Sequence, residues 1–459
     1  MNIVIVGDGK VGYSLSENLN KEGHDITIID NNAETLNTTL DMLDVMGIHG
    51  NGASLDVQME AGVPDADLLI AATSRDELNL LCCLTAKNLG AKRTIARVRN
   101  PEYATQLKML KEQFGLSMVI NPELEAAKEI ARVIRFPQAL RIDTFAKGRV
   151  ELVEYKLREN MPVIGKKLMD LTIVRESKVL ICAVERDENV VIPDGHFVLQ
   201  AGDRIHISGT NQAIADFLGH LSEMKFRVRS VMIVGGGRIT YYLVKMLDEN
   251  KDIQIKIIEK NRERCDELCE WMPRVTIIHG DGAELDLLEA EGMRDVDAFV
   301  ALTNMDEENL IMSMMASYRK VPKVITKTGR FNYISIMEKI GIDTVVNPKL
   351  TTSNQIVQYV RAMQNSENFN HIITLYKMVD GKAEAAEFFA SGDTRNLGVP
   401  LDQLRLKRNL LIAVIVRQDK VIIPHGKDCI MQGDSVVVLT NEHKLSHLND
   451  IYADQLWAK

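Results

Sequence analysis

Along the first 135 residues the chain alternates two kinds of apolar pattern. Residues 3–6, 26–29, 68–72 and 94–98 are short continuous runs rich in β-branched side chains, whereas residues 77–89 carry their apolar positions at helical spacing. Continuous runs of this length predict strands buried on both faces, and the amphipathic stretches predict the helices that cover them. The order is that of successive βαβ units on a parallel sheet. After about residue 140 the texture changes to short alternating runs bounded by turn residues, at 151–157, 180–186, 190–192 and 204–208. These predict a small, mainly antiparallel domain.

The whole order then repeats. The first glycines of two glycine-rich turns, Gly7 and Gly235, lie 228 residues apart; Asp30 and Glu259 lie 229 apart; His49-Gly50 and His279-Gly280 lie 230 apart. Ala72-Thr73 and Asn79 recur as Leu302-Thr303 and Asn309, again at 230. Asn121-Pro122 recurs as Asn347-Pro348 at 226, and Ile192-Pro193 and Gly202-Asp203 return at 231 as Ile423-Pro424 and Gly433-Asp434. Long-period duplication therefore spans the chain and predicts four lobes, at 1–136, 140–225, 229–362 and 370–455.

Composition narrows the class. A chain of 459 residues with 46% hydrophobic and 26% charged residues is that of a globular protein of two to four domains. No apolar stretch approaches the roughly 18 residues of a membrane helix. The start, Met1-Asn2-Ile3-Val4, has no basic, cleavable leader character, which points to the cytoplasm. Six irregularly spaced cysteines, Cys82 and Cys83 adjacent, fit a reducing compartment. A net charge of −9 with scattered basic residues argues against nucleic acid as a partner.

The candidate chemistry starts at Gly7-Asp8-Gly9-Lys10-Val11-Gly12, between a predicted strand and a predicted helix. Gly7 permits a tight turn, Gly9 lets a pyrophosphate approach the backbone, and Gly12 lets the helix pack closely, so the first helical N–H groups face the anion. Asp30, ending the next strand, is placed to accept from ribose hydroxyls and to repel a 2′-phosphate. Thr73 and Ser74 end the fourth strand and Arg97 and Arg99 the fifth, where a ligand cleft opens; an arginine fork suits phosphate oxygens. Ser74-x-x-Glu77 equally reads as a helix capping box. Asn51 and Asp281, in the repeated His-Gly-x-Gly turns, are placed near an adenine base, or mark only a turn held by its glycines.

The second copy keeps Gly235, Gly236 and Gly237 and the acid Glu259, and adds Arg238 beside Ile239, with Thr303 in the place of Thr73. Thr240 replaces the third glycine and Lys327 stands at the position of Arg97. A β-branched residue at 240 is expected to push helix and strand apart or to alter phosphate access, and a lysine loses the bidentate fork. The two copies are therefore expected to differ in affinity or in ligand.

No catalytic set accompanies these sites. Tyr241-x-x-x-Lys245 has a dehydrogenase-like spacing but follows the glycine turn directly, away from the nicotinamide end of a bound dinucleotide. Cys265 and Cys269 share a helical face with only His279 following, too few ligands for zinc. Met312, Met314 and Met315 read as core.

The full order of these motifs, from the glycine fingerprint through Asp30, His-Gly-Asn-Gly, Ala72-Thr73, Arg97 and Asn121-Pro122 to Ala201-Gly202-Asp203, resembles the RCK (KTN) family of potassium-transport regulators over nearly the whole length. The resemblance implies an α/β fold of two tandem Rossmann-like parallel-sheet domains (RCK N-lobes), each followed by a small α+β domain (RCK C-lobe). It implies NAD(H) and ATP or ADP as ligands sensed rather than consumed. It also implies a homo-oligomeric ring, a tetramer, on the cytoplasmic side of a membrane potassium transporter of the Trk type. The competing reading is an NAD-dependent oxidoreductase with a duplicated Rossmann domain.

Overall fold

The computed structural model describes residues 1–104, 106–137, 141–146, 149–187, 189–221, 227–248, 252–330, 333–334, 337, 340, 342, 344–367, 372–378, 382–418, 420–442 and 445–453. Lobe limits drawn at 140, 225, 370 and 455 lie outside these residues. Two compact units form: Met1–Ala131 with Val228–Val357, and Arg132–Arg227 with Gln358–Lys459.

Along the chain, the first unit opens with strands β1 (Asn2–Val6), β2 (Asp25–Asp30), β3 (Met46–His49), β4 (Leu68–Ala71), β5 (Thr94–Arg97) and β6 (Met118–Ile120). The second unit follows with β7 (Arg141–Phe145), β8 (Val150–Lys156), β9 (Leu180–Arg186), β10 (Asn189–Val191) and β11 (Arg204–Gly209). The first unit resumes with β12 (Ser230–Val234), β13 (Gln254–Glu259), β14 (Thr276–His279), β15 (Ala298–Ala301), β16 (Lys323–Lys327) and β17 (Thr344–Val346). The last strands are β18 (Ile372–Met378), β19 (Ala383–Phe389), β20 (Leu410–Arg417), β21 (Lys420–Ile422) and β22 (Ser435–Thr440).

The first unit holds two parallel sheets of identical topology, β3-β2-β1-β4-β5-β6 and β14-β13-β12-β15-β16-β17. Strand order reverses beside the first strand of each, which opens a crevice at the carboxyl ends of β1 and β4, and of β12 and β15. The apolar runs are buried on both faces as their continuity requires: all four side chains of β4 are fully covered.

Each crevice is floored by a glycine turn. Gly7 and Gly235 adopt φ of 98° and 103°, and a Cβ on Gly7 would stand 2.9 Å from the Thr73 nitrogen. Helices Lys10–Lys21 and Arg238–Leu247 then start with Gly9 and Gly237 at their N-caps, where no side chain takes the first N–H groups. Gly12 packs so close that a Cβ would meet the Gly7 carbonyl oxygen at 1.8 Å. Its counterpart Thr240 is fully buried and donates its hydroxyl to the Gly235 carbonyl at 2.5 Å. The change is thus absorbed beneath the turn, and Thr240 does not reach the crevice.

The second unit contains two antiparallel five-stranded sheets, β10-β9-β11-β8-β7 and β21-β20-β22-β19-β18, again one topology twice. Their facing side chains, including Leu152, Cys182, Ala183, Ala385, Val414 and Leu439, form one apolar cluster. The repeated Gly-Asp pairs have a structural use: buried Asp203 and Asp434 each accept a two-pronged arginine, Arg186 at 2.7 and 2.7 Å and Arg417 at 2.9 and 2.9 Å. Helix Asp306–Tyr318 departs from expectation, since only Met312 of its methionines is buried while Met314 is exposed.

The contrast at the third fingerprint position is testable by thermal unfolding. Gly12→Ala is expected to cost about 3 kcal/mol, because backbone must move to admit the methyl group. Thr240→Gly is expected to cost only about 1 kcal/mol for its hydrogen bond. Equal losses would contradict the account.

Candidate functional site

Within the first unit the two crevices open into one cleft of about 1300 Å³. The first copy lines it with Gly7, Gly9, Lys10 and Val11, with Asp30 and Asn51, with Thr73, Ser74 and Arg75, and with Arg97 and Arg99. The second copy supplies Gly237, Arg238 and Ile239, residues 304–307, Lys327 and Lys349. Two helix N-termini with unclaimed N–H groups therefore face one space, the arrangement that favours anionic ligands.

A buried asparagine builds each wall. The Asn79 side-chain oxygen accepts from the Thr73 N–H and hydroxyl at 2.9 and 2.7 Å, while its nitrogen donates to the carbonyls of Thr73 and Arg97 at 3.2 and 2.9 Å. Asn309 does the same for Thr303 and Lys327, with four bonds between 2.8 and 3.1 Å. Both side chains are completely covered. The ends of β4 and β5, and of β15 and β16, are thus pinned where ligand would meet them.

Acid and base positions are set with equal economy. Asp30 accepts from the N–H groups of Asp8 and Asn32 at 2.6 and 2.8 Å, and Glu259 from those of Gly236 and Asn261 at 2.6 and 2.7 Å. Each carboxylate oxygen keeps a second lone pair. Arg97 lies 3.9 Å from Glu123, and burial pushes its guanidinium down to about 10, with the Arg99 charge adding to the effect. Arg99 is fastened by the Ser74 carbonyl at 2.5 Å and faces Asp76 and Glu123 at 3.7 and 3.6 Å. Tyr242, on the second fingerprint helix, donates to the Arg99 carbonyl at 2.9 Å and accepts from Asn121 at 3.0 Å, tying the copies together.

Several residues singled out in the sequence lie off the cleft lining. Asp8 and Gly12 sit beneath the first turn, and Gly235, Gly236, Glu259, Asp281 and Thr303 are set back in the second copy. There the protein's own charges crowd the site: Lys260 pairs with Asp281 at 2.5 Å, and Arg264 donates to the Gly236 carbonyl at 2.7 Å while stacking on Trp271. The capping-box reading fails, because Arg75 and Met305 are the N-caps and neither helix has a side-chain cap. Asn51 caps its own turn by accepting from the Ala53 N–H at 3.1 Å, yet still faces the cleft. The glycines flanking it are there for space, since a Cβ on Gly52 would meet Val6 at 2.1 Å. Among the described residues no group of His, Cys, Asp and Glu is arranged to hold a metal, and no helix is long and apolar enough to cross a membrane.

The roles of Asn79 and Asn309 were signalled by their exact repetition, which marked register without showing function. Glu123 and Lys349 follow the repeated Asn-Pro and could have been found by the same comparison. Tyr242 carried no such mark, because Ser14 stands at its position in the first copy.

Fold and site define a tandem dinucleotide-fold protein whose two copies share one anion-facing cleft. The TrkA-N domain model matches residues 3–122 and 231–348, and the TrkA-C domain model residues 152–234. The Trk system potassium uptake protein TrkA of Vibrio alginolyticus is 32% identical over 460 residues, 98% of each chain. The TrkA homolog 2 of Methanosarcina mazei is 32% identical over 445 residues, covering 95% of this chain and 97% of that one. The RCK domain of GsuK superposes with a TM-score of 0.65 at 17% identity, over 96% of this chain and 92% of that one. The GsuK channel bound to NAD gives 0.64 at 17% identity, over 96% and 77%. The chain belongs to the TrkA family of RCK regulatory subunits.

Asp8 gives the site a pH signature. Burial raises its carboxyl above the ordinary 3.8; the Thr39 hydroxyl draws it back and the Asp30 charge pushes it up again. The unfolded chain therefore ionises Asp8 at lower pH than the folded chain does, so the ionised group costs stability at neutral pH and the cost vanishes below about 3.8. Asp8→Asn is expected to stabilise the chain by about 1 kcal/mol at pH 7. The gain should shrink as the pH falls through the carboxylate range in calorimetric unfolding; a gain that persists at pH 3 would contradict this.

Proposed function

We propose that this chain is a nucleotide-sensing cytosolic regulatory subunit that gates a membrane potassium transporter of the Trk type. The supporting observation is the shared cleft, in which two fingerprint turns, two free helix N-termini and paired cations from both copies surround one space. The names of the full-length relatives point to potassium uptake, and the NAD-bound title of a fold neighbour points to a dinucleotide ligand. The four lobes, 1–136, 140–225, 229–362 and 370–455, are assigned as N- and C-lobes of two RCK units, in keeping with the repeated strand orders.

In this reading NAD(H), ATP or ADP binds the first copy through the backbone of Gly7, Gly9, Lys10 and Val11, with Asp8 and Gly12 shaping the turn from beneath. Asp30 takes the ribose, Asn51 stands by the base, and Thr73, Ser74 and Arg97 border the phosphates. The second copy offers Gly237, Arg238, Ile239 and Lys327 at the cleft, with Gly235, Gly236, Glu259 and Thr303 set behind them and Asp281 held by Lys260. Ligands that prefer one arrangement of the copies over another shift a ring of chains, a tetramer, between states, by no more than their difference in affinity. Bound nucleotide is expected to be recovered unchanged. In the oxidoreductase alternative Tyr241 would have to meet a nicotinamide, but it packs edge-on against Trp271 and Tyr242, at 5.4 and 5.6 Å between ring centres.

Calorimetric titration of NADH, NAD, ATP and ADP tests the assignment. Asp30→Ala is expected to weaken at least one ligand by about tenfold or more, the worth of charge-assisted hydrogen bonds, and Glu259→Ala to weaken any ligand of the second copy. If neither substitution changes any affinity, these residues do not form the sites.

A further inference from the structure

The two copies share one topology, but a contact that joins them is not made twice. Tyr242 lies on the second fingerprint helix, Arg238–Leu247, about 6 Å along the axis from the N-terminus that faces the cleft. It is buried, and its ring packs edge-on against Tyr241. The hydroxyl is used in both directions: it donates to the Arg99 carbonyl at 2.9 Å and accepts from the Asn121 Nδ2 at 3.0 Å.

Both partners belong to the first copy, and both are held in turn. The N–H groups of Arg99 and Asn100 donate to Asp76 at 2.8 and 2.7 Å, and the Arg99 guanidinium donates to the Ser74 carbonyl. Asn121 starts helix Pro122–Arg135: its Oδ1 accepts from the Leu124 N–H at 2.9 Å and its carbonyl from the Glu125 N–H at 3.0 Å. One hydroxyl therefore joins the second fingerprint helix to the end of β5 and to the helix by which the chain leaves the first unit after Ala131.

The counterpart contact shows what the hydroxyl contributes. Ser14 corresponds to Tyr242 and Asn347 to Asn121. Asn347 keeps the capping half, its Oδ1 accepting from the N–H groups of Lys349 and Leu350 at 3.1 and 3.2 Å. The bridging half is lost: the Ser14 Oγ and the Asn347 Nδ2 are both buried without a hydrogen-bond partner among the described residues. A serine has no ring to carry its oxygen across. The first fingerprint helix instead meets helix Pro348–Glu367 through Asn18, which donates to Ser353 at 2.7 Å. In the Tyr242 contact, by contrast, the helix cannot shift at its first turn without stretching two buried bonds at once, and a buried group left unpaired costs more than a bond contributes.

We infer that the Tyr242 hydroxyl couples the second fingerprint turn to the first copy. Whatever tightens or loosens the first turn of helix Arg238–Leu247 is felt at the Arg99 end of β5 and at the start of helix Pro122–Arg135, and the reverse holds by linkage. This deepens the regulatory reading above and rests on it only for what occupies the turn.

Amide hydrogen exchange of the full chain tests the coupling as a double-mutant cycle, with Thr240→Gly as the perturbation and Tyr242→Phe as the cut. The Thr240 hydroxyl bonds beneath the second turn, so its loss loosens that turn. Phenylalanine keeps the ring and removes the hydroxyl, and thermal unfolding shows that each variant is folded. The readout is exchange at Leu124 and Glu125, which lie off the cleft lining. With Tyr242 present, Thr240→Gly is expected to hasten their exchange by about threefold or more; in the Tyr242→Phe background it is expected to change it by less than about 1.5-fold. Equal acceleration in the two backgrounds, or none in either, makes Tyr242 a packing residue and overturns the inference. A second arm replaces Thr240→Gly by saturating ATP or NADH, in chains carrying Asp30→Ala so that ligand is confined to the second copy. A nucleotide that slows residues 237–241 is expected to slow Leu124 and Glu125 too, and to lose that effect with Tyr242→Phe; slowing that survives Tyr242→Phe overturns the inference. Coupling in the mutational arm, with no nucleotide slowing residues 237–241, leaves the link standing and defeats the nucleotide reading of the second copy.

Discussion

The geometry of the cleft depends on one buried amide in each copy. Asn79 spends its full hydrogen-bonding capacity on the ends of two adjacent parallel strands, and Asn309 repeats the pattern. Strand ends carry carbonyl and N–H groups that the sheet no longer pairs, and in a covered place they must be paired by something else. By meeting that need, the asparagines fix the positions of Thr73 and Arg97, and of Thr303 and Lys327. Groups held in this way, Thr73, Arg97 and Lys327 at the cleft, are ordered before any ligand arrives.

Duplication supplies the second constraint. One topology used twice places two fingerprint helices at one cleft, so each copy can contribute to a ligand held mainly by the other. The copies have nevertheless diverged at the points of contact. Tyr242 bridges to Asn121 and the Arg99 carbonyl, whereas Ser14 stands in the equivalent place; Lys349 replaces a carboxylate; Thr240 fills the space that Gly12 must leave empty. Such differences give a symmetric architecture chemically unlike surroundings in its two copies.

Much of this was readable in the chain itself, and the reasons are local. The runs at 3–6 and 68–72 had to be buried strands because they offer no polar face, and Gly7, Gly9 and Gly12 mark a tight strand-to-helix turn because their effect acts over a few residues. What could not be read depended on partners distant in sequence. Asp8 belongs to the motif read as meeting a ligand and is buried under the turn; Ser74 and Glu77 looked like a cap, but the helix starts one residue later and Glu77 instead accepts from Tyr103. Asp281 looked free to meet a base and is held by Lys260, an adjacency that arises only when β13 and β14 pair.

The central claim is that the two copies share one ligand space. Amide hydrogen exchange of the full chain, followed by mass spectrometry with and without saturating NADH or ATP, tests it most directly. The account predicts slowed exchange at residues 9–12, 73–75 and 97–99 together with residues 237–241 and 327–330. Slowing confined to one copy, with the other unchanged under every nucleotide, would contradict it.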